Sequence, residues 1–430
     1  MESNISYTRN ERYGALGGIL FGHFSDGYDL VLISYLFFPM AHEFHTGIPQ
    51  IALALTISLV FSALGGVVFG WFADRFGRKK GLILSLAIFG LSTLLTAGIN
   101  SLWQLYLLRA IEGIGIGGEW GIGFAQITEV WSPKTRATGG GILQAVFIIG
   151  SITGAFTAGY TLQAYGFSLG WRYAFVIAGV VALIGIAVVQ LIMPESKFWK
   201  DYDSKRRKGE LPKDYDIRSP LIQIFSKKVR RWTLFSLLIG GANLFIYFSY
   251  ASFMPTLLGT LSVPIADYTL ILVLGQAIAV PFYWLNGYFA DRFGRKSSAI
   301  GYGIIYIIAV VSFMGANILK TPYLMLVAFP LFYTYTFVSI GQGVSGEYGV
   351  WYSEHFPTKM RSTATNFGYM VGRGFAGGLA PIVIPLIAAS LGGLSHLGIA
   401  MSIAMLVGVI VQFIGFFGLK ETKGTEVTTL

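Results

Sequence analysis

Apolar runs of about twenty residues follow one another along almost the whole chain, separated by short polar or charged breaks. A helix needs roughly 20 apolar residues to cross the hydrocarbon of a bilayer, so each run predicts a spanning helix. Twelve can be placed: 14–40, 49–71, 81–98, 102–130, 137–160 and 171–193, then 232–258, 264–288, 298–318, 323–351, 363–391 and 397–419. Between the sixth and seventh, residues 197–231 are dense in Lys, Arg, Asp and Glu and read as a surface linker. The expected organisation is a six-helix bundle at 1–196, a linker at 197–231 and a second six-helix bundle at 232–430. Periodicity does not say which faces line a cavity, because lipid-facing and buried sides are both apolar.

The breaks repeat. Phe72-Ala73-Asp74-Arg75-Phe76-Gly77-Arg78-Lys79 returns letter for letter at Phe289 to Lys296, 217 positions later (289 − 72). A spanning segment cannot continue through three cations and a carboxylate, so the chain surfaces at both places. Glycine in Phe-Gly-Arg permits a tight turn. Glu129, Pro133 and Arg136 are echoed by Glu354, Pro357 and Arg361, with Glu and Arg seven apart in both (136 − 129; 361 − 354). Gly118-Glu119-Trp120-Gly121 recurs as Gly346-Glu347-Tyr348-Gly349. A duplicated membrane domain, with equivalent loops on one face of the bilayer, accounts for all three.

Composition agrees: 54% of the 430 residues are hydrophobic and 12% charged, where a soluble protein carries about 25% charge. There is no cysteine, which excludes disulfides and thiolate metal sites. The five His are scattered and no phosphate loop is present, so no enzyme, metal or cofactor is expected. The net charge of +10 is unevenly placed, with 27 of the 31 Lys and Arg on one expected face. Arg172 and Lys320 fall on the other face, and Arg109 and Arg373 within spans. Such asymmetry is the positive-inside rule, which puts both termini and the linker in the cytoplasm and argues against nucleic-acid binding. Residues 1–12 are polar and precede a segment too long for a signal h-region, so no cleavable signal peptide is expected.

Charges within spans carry more information, because one near mid-bilayer costs about 2.5–3.5 kcal/mol on insertion scales. Asp26 and Asp29, three apart in the first span, share one side of a helix. Two such carboxylates repel, and holding a proton relieves the repulsion, which is the chemistry of a proton-coupled carrier. His23, a turn earlier, either shares that proton or only hydrogen-bonds. Aligning Gly17-Gly18 with Gly240-Gly241 sets Ser249 and Ser252 opposite the aspartates, so the second repeat lacks the acid pair. Arg373, between Gly372 and Gly374, is the candidate for an anionic substrate, since guanidinium grips a carboxylate at two points. Its alternative is a structural pair with a carboxylate such as Glu347. Arg109 and Glu112, three apart, can neutralise each other, and Glu119 is a second proton site or a partner for Arg373. The glycines of 113–118 suit close helix packing. Asn243, Tyr247, Gln276, Gln342, Asn366 and Tyr369 are candidate substrate contacts, with Tyr250, Tyr333 and Tyr335 as further cavity candidates, although each aromatic singly also fits packing.

These motifs resemble the major facilitator superfamily. The two Asp-Arg-Phe-Gly-Arg-Lys loops match its signature after spans two and eight. The Glu-Pro-Arg ends of spans four and ten, Pro194-Glu195-Ser196 and Glu421-Thr422-Lys423-Gly424 are similar to sugar-porter motifs, with Lys420 departing from the usual proline. Asp26-Gly27-Tyr28-Asp29 and Gly118-Glu119-Trp120-Gly121 look like the proton-coupled organic-acid branches: aromatic acid, sialic acid and lactate symporters. The resemblance implies an all-α membrane protein, twelve transmembrane helices in two pseudo-symmetric six-helix bundles, with both termini cytoplasmic. It also implies a role for Arg109 in proton coupling. Drug antiporters of the superfamily usually carry Gly-Pro in span five, which Gly150-Ser151-Ile152-Thr153-Gly154 lacks.

The implied function is proton-coupled symport of a small carboxylate across the plasma membrane by alternating access, with a proton-coupled or facilitative sugar porter as the alternative. Expected partners are the substrate, protons and lipid, with the chain acting as a monomer. In such a rocking pair of bundles, Asp74, Arg75, Arg78, Glu129, Arg136 and Glu195 would latch the first at the cytoplasmic end. Asp291, Arg292, Arg295, Glu354, Arg361 and Glu421 would latch the second. Exposed pairs at about 0–1 kcal/mol each would suit a reversible latch.

Overall fold

The computed structural model describes residues 6–210, 219–261, 265–318 and 330–426. Lys213, Arg218, Pro264, Lys320 and the start of the tenth expected span, 323–329, lie outside the described residues. Among the described residues the regular structure is entirely helical. The first repeat contains α1 (Arg9–Glu43), α2 (Ile48–Phe76), α3 (Arg78–Thr96), α4 (Leu102–Val130) and α5 (Arg136–Ile192). Then come α6 (Lys197–Lys208) and the short α7 (Pro220–Gln223). The second repeat contains α8 (Arg230–Ala251), α9 (Met254–Thr260), α10 (Ile265–Phe293), α11 (Arg295–Ile318), α12 (Pro330–Gly341), α13 (Tyr348–Glu354), α14 (Arg361–Asn366), α15 (Gly378–Ser390) and α16 (Leu397–Gly418).

Eight of the described helical stretches are long and apolar enough to cross a membrane. α5 has 57 residues, nearly three times what one crossing takes, and it bends at Gly166. α1 and α4, of 35 and 29 residues, have the length of a span but carry the buried charges. α1 starts at a capping box, in which the Thr8 hydroxyl accepts from the Glu11 amide at 3.2 Å and the Glu11 carboxylate accepts from the Thr8 amide at 2.8 Å. The repeated octet forms the same corner twice: α2 turns into α3 at Gly77 (φ 114°) and α10 into α11 at Gly294 (φ 108°), angles that favour glycine.

Two expected spans are not continuous helices. After α12 the backbone tightens into a 3₁₀ run, Gln342–Gly346, before α13. After α14 it widens into two π-turns, Phe367–Val371 and Arg373–Gly377, which flank Gly372 and present Arg373. Such local changes of helical pitch concentrate at functional positions. The linker also differs from a plain surface segment, because α6 buries Trp199, whose indole N–H donates to the Asp74 carbonyl at 3.0 Å.

In the first repeat α1 packs along α5, and α2 and α3 pack on α4. In the second, α8 and α11 pack on α16, and α10 and α11 on α12. The repeats meet where α2 faces α14 and the π-turns, and where α5 faces α10.

Candidate functional site

Two layers of buried charge lie between the repeats. The first joins the loop ends. The Asp74 carboxylate accepts the backbone N–H of Ser362 (3.1 Å) and Thr363 (2.8 Å) and the Thr363 hydroxyl (2.6 Å) at the start of α14. Asp291 repeats this on α5, accepting the N–H of Ala137 (3.1 Å) and Thr138 (2.7 Å) and the Thr138 hydroxyl (2.7 Å). Each aspartate thus caps a helix of the opposite repeat, where unpaired amides favour an anion. Close approach makes this possible: a Cβ on Gly70 would stand 2.8 Å from the Thr363 Cα, and one on Gly287 would collide with the Ala137 carbonyl.

Arginines complete the layer. Arg78 binds Asp74 (2.6 Å) and Glu129 (2.9 Å), and Arg361 from the other repeat also binds Glu129 (2.6 Å). Arg295 binds Asp291 (2.7 Å) and Glu354 (2.9 Å), and Arg136 crosses to Glu354 (3.1 Å). Glu195 accepts the amide of Arg78 and Glu421 that of Arg295, both at 2.9 Å. Burial pushes the Glu195 carboxyl up from its ordinary range, against the pull of the Ser196 amide and Arg78.

The second layer surrounds a narrow cavity of about 20 Å³, room for roughly one water molecule. Arg373 grips Asp26 across it at two points, Nη1 to Oδ2 at 3.2 Å and Nη2 to Oδ1 at 3.3 Å, with both residues buried. His23 Nδ1 lies 2.9 Å from Glu119 Oε2. Trp120 of α4 stacks flat on Tyr369, centroids 3.7 Å apart and planes 6° apart, and its indole N–H donates to Gln144 at 3.2 Å. Tyr247, Phe147, Tyr283, Gln342 and Ser345 close the remaining walls.

The family profile of the Major Facilitator Superfamily matches residues 19–381. The chain belongs to the major facilitator superfamily. Its fold is that of the superfamily's transporters, not of enzymes. Among its relatives, the cis,cis-muconate transport protein of Acinetobacter baylyi is 28% identical over 380 residues, 87% of this chain and 86% of that one. The sialic acid transporter NanX of Escherichia coli is 23% identical over 411 residues, 94% of this chain and 93% of that one. Among solved structures, the superfamily's proton:xylose symporter XylE bound to 6-bromo-6-deoxy-D-glucose superposes with a TM-score of 0.80 at 19% identity, covering 98% of both chains.

Against this superfamily fold, several sequence expectations need correction. Asp26 and Asp29 do not share a pocket as a repelling pair. Asp26 belongs to Arg373, while Asp29, nearly one turn further along α1, binds Arg109 at 2.8 Å and accepts the Thr93 hydroxyl at 3.2 Å. Arg109 is therefore held mainly by Asp29. Glu112 stands 3.8 Å from it and takes the Ser58 hydroxyl at 2.6 Å. Arg373 pairs with neither Glu347 nor Glu119.

Asn366 does not line the cavity: it accepts the Gly121 amide at 2.8 Å in the α4 contact. Asn243 accepts from the Gln342 amide at 3.0 Å through Oδ1, its Nδ2 having no partner among the described residues, and Gln276 donates to the Tyr335 hydroxyl at 3.3 Å; neither Asn243 nor Gln276 lines the cavity. Tyr333 faces outward, half exposed. Arg75 and Arg292 are exposed and take no part in the charge layer, and among the described residues neither pairs with a carboxylate. Glu421 is exposed, but the Arg–carboxylate pairs at the centre of the layer are buried, so they depend on one another far more than surface pairs do.

Trp120, Gln144, Phe147, Tyr283 and Ser345 were not foreseen as lining residues. Gln144, a lone amide in the apolar fifth span, and Trp120, beside Glu119 in a repeated motif, carried the available signal. His23, Asp26 and Glu119 place ligand-type atoms within 4.8 Å of one another, the spacing of a metal site. Asp26 is engaged by a guanidinium and His23 Nδ1 by Glu119, while His23 Nε2 and Glu119 Oε1 are buried without a partner among the described residues.

Proposed function

We propose that the protein is a secondary active transporter that moves a small organic acid across the cell membrane together with protons. The observation that carries this reading is the two-point Arg373–Asp26 pair, buried between the repeats at the cavity. A carboxylate entering the cavity must shed water, which is tolerable only against a fixed cation. The fork of Arg373 is that cation, and Asp26 occupies it. Substrate therefore displaces Asp26, whose carboxylate is left buried without its partner, a state costing several kcal/mol. Taking up a proton removes that cost, so acid and proton bind as a unit. The relatives named for muconate and sialic acid carry carboxylates, which favours an acid. The likeness to the xylose symporter supports the fold alone.

The repeats 1–196 and 232–430 act as two bundles of six spans, joined by the 197–231 segment. They rock about the cavity in alternating access. With the positive loops cytoplasmic, the charge layer is the closed cytoplasmic gate, and both termini share that side. Glu119 with His23, and Asp29 with Arg109, form further proton-holding pairs beside the Asp26 site. Uptake into reconstituted vesicles, comparing a panel of carboxylates and sugars with and without an imposed pH gradient, tests the proposal. Acids should accumulate only with the gradient. Sugar accumulation with no acid transport would instead make it a sugar porter.

A further inference from the structure

Among the described residues, eight Asp and Glu are buried, and seven of them have an Arg or His nitrogen within 4.0 Å. Glu347 is the eighth. It is 0% exposed, its Oε1 meets only the Asn286 amide at the outer limit of 3.5 Å, and its Oε2 has no partner. An ionised carboxylate so placed would carry most of the cost of losing water, because among the described residues no cation stands within 4.0 Å to pair with it. The chemistry of the position is therefore that of a neutral carboxylic acid.

Its setting points to more than a structural acid. Glu347 joins the 3₁₀ run Gln342–Gly346 to α13, at a break in the helix. Two residues before it, Ser345 lines the cavity. Seven residues after it, Glu354 holds Arg295 and Arg136 in the charge layer. The groups that face it are Arg295 of α11, Asp291 and Asn286 of α10, Glu421 beyond α16, Tyr302 of α11, and Tyr348 and Tyr352 of α13. The hydroxyls of Tyr348 and Tyr352 are buried and unpartnered, as is Ser345 Oγ. Polar groups thus continue from the cavity wall toward the layer, with one titratable acid among them. The repeat-related Glu119, by contrast, lies in unbroken α4 and is paired to His23.

We propose that Glu347 is a proton-carrying residue of the second repeat, loaded while the loop ends are closed and unloaded when they part. In the unloading step the carboxyl O–H bond breaks and the proton passes to a water oxygen entering from the loop end. The carboxylate left behind faces Arg295, whose charge then compensates it. Reloading takes a proton from the cavity side. The transport role rests on the proton-coupled reading above, whereas the protonation of Glu347 does not.

The test has two arms. Infrared spectra of the purified protein at neutral pH, with and without ¹³C-labelled glutamate, should show a protonated-carboxyl C=O band that Glu347→Gln removes. The band should weaken in Gly70→Ala and Gly287→Ala proteins, whose added methyl groups prise the loop ends apart. Its absence from the parent overturns the proposal whether or not the protein couples transport to protons. In vesicles, Glu347→Gln protein with a normal thermal melt should accumulate substrate under a pH gradient at least tenfold less than the parent. Its substrate exchange should also lose the parent's pH dependence. Accumulation equal to the parent's overturns the role. A parent that ignores the gradient refutes the coupling reading instead, and leaves the infrared result to decide the site.

Discussion

Arg373 and Asp26, 347 residues apart in the chain, form a two-point ion pair that bridges the two repeats at the cavity. A carrier built this way meets its substrate already holding a substitute for it, because the side-chain carboxylate of Asp26 occupies the fork an organic acid would take. Release of that substitute is where the proton enters.

Asp26→Asn removes the competing charge and the proton acceptor together. Exchange of acid across the membrane should continue, while accumulation under a pH gradient should fall to a ratio of about one, as expected when no free energy is transferred. Counterflow and uptake assays on the same vesicles separate the two. Uphill accumulation equal to the parent's would place coupling elsewhere.

The gate should respond to glycine substitution without any change of charge. Gly70→Ala sets a methyl against the Thr363 backbone and Gly287→Ala sets one against the Ala137 carbonyl. Each weakens a cap whose loss costs about 0.5–2 kcal/mol, a shift of roughly 2- to 30-fold toward the state open at the loop end. Cysteine labelling from that side, with single cysteines placed at Thr138 or Thr363 in the cysteine-free parent, reads the change. Unaltered labelling in properly folded variants would leave the caps as stability elements only.

Arg109 should matter for folding as well as transport. Arg109→Ala leaves Asp29 and Glu112 as two buried acids without their cation, and breaking such a pair costs about 3–5 kcal/mol. Adding Asp29→Asn to Arg109→Ala should recover part of the loss in thermal melting. A double variant no more stable than Arg109→Ala would contradict the pairing.

The Trp120–Tyr369 stack joins α4 to the π-turn before Arg373. A double-mutant cycle with Trp120→Leu and Tyr369→Leu should give a coupling of about 0.5–1.5 kcal/mol, measured by thermal melting. Additive effects would mean the rings are neighbours without interaction.

The architecture was legible because apolar runs, a repeated octet and one-sided cations each report on the bilayer. The gate was half legible. Asp74 and Asp291 stood out by repetition, but their partners are backbone amides of the opposite repeat, and amides carry no sequence label. Arg75 and Arg292 share the same octets yet point outward, since i and i+3 neighbours in a turn need not share a fate. At the cavity, the residue types were right and the pairing wrong. Spacing three apart places Asp26 beside Asp29, whereas cations from two different helices claim them, Arg373 the one and Arg109 of α4 the other, and that packing carries no label in the sequence. Regular spacing sets Asn366 along the helical side of Arg373, but the π-turn between them, Phe367–Val371, changes the register.

Proton uptake on binding tests the central claim most directly. Titration calorimetry of purified protein with a transported acid, repeated in buffers of different ionisation enthalpy, counts the protons taken up per substrate bound. The parent should take up about one near neutral pH, with affinity falling about tenfold per pH unit above that range. Asp26→Asn should take up none and bind independently of pH, while adding Arg373→Ala to Asp26→Asn, so that no buried carboxylate is left without its cation, should abolish binding with the thermal melt kept. Acid binding to the parent with no proton uptake, or to the double variant with undiminished affinity, would contradict the exchange of Asp26 for substrate on Arg373.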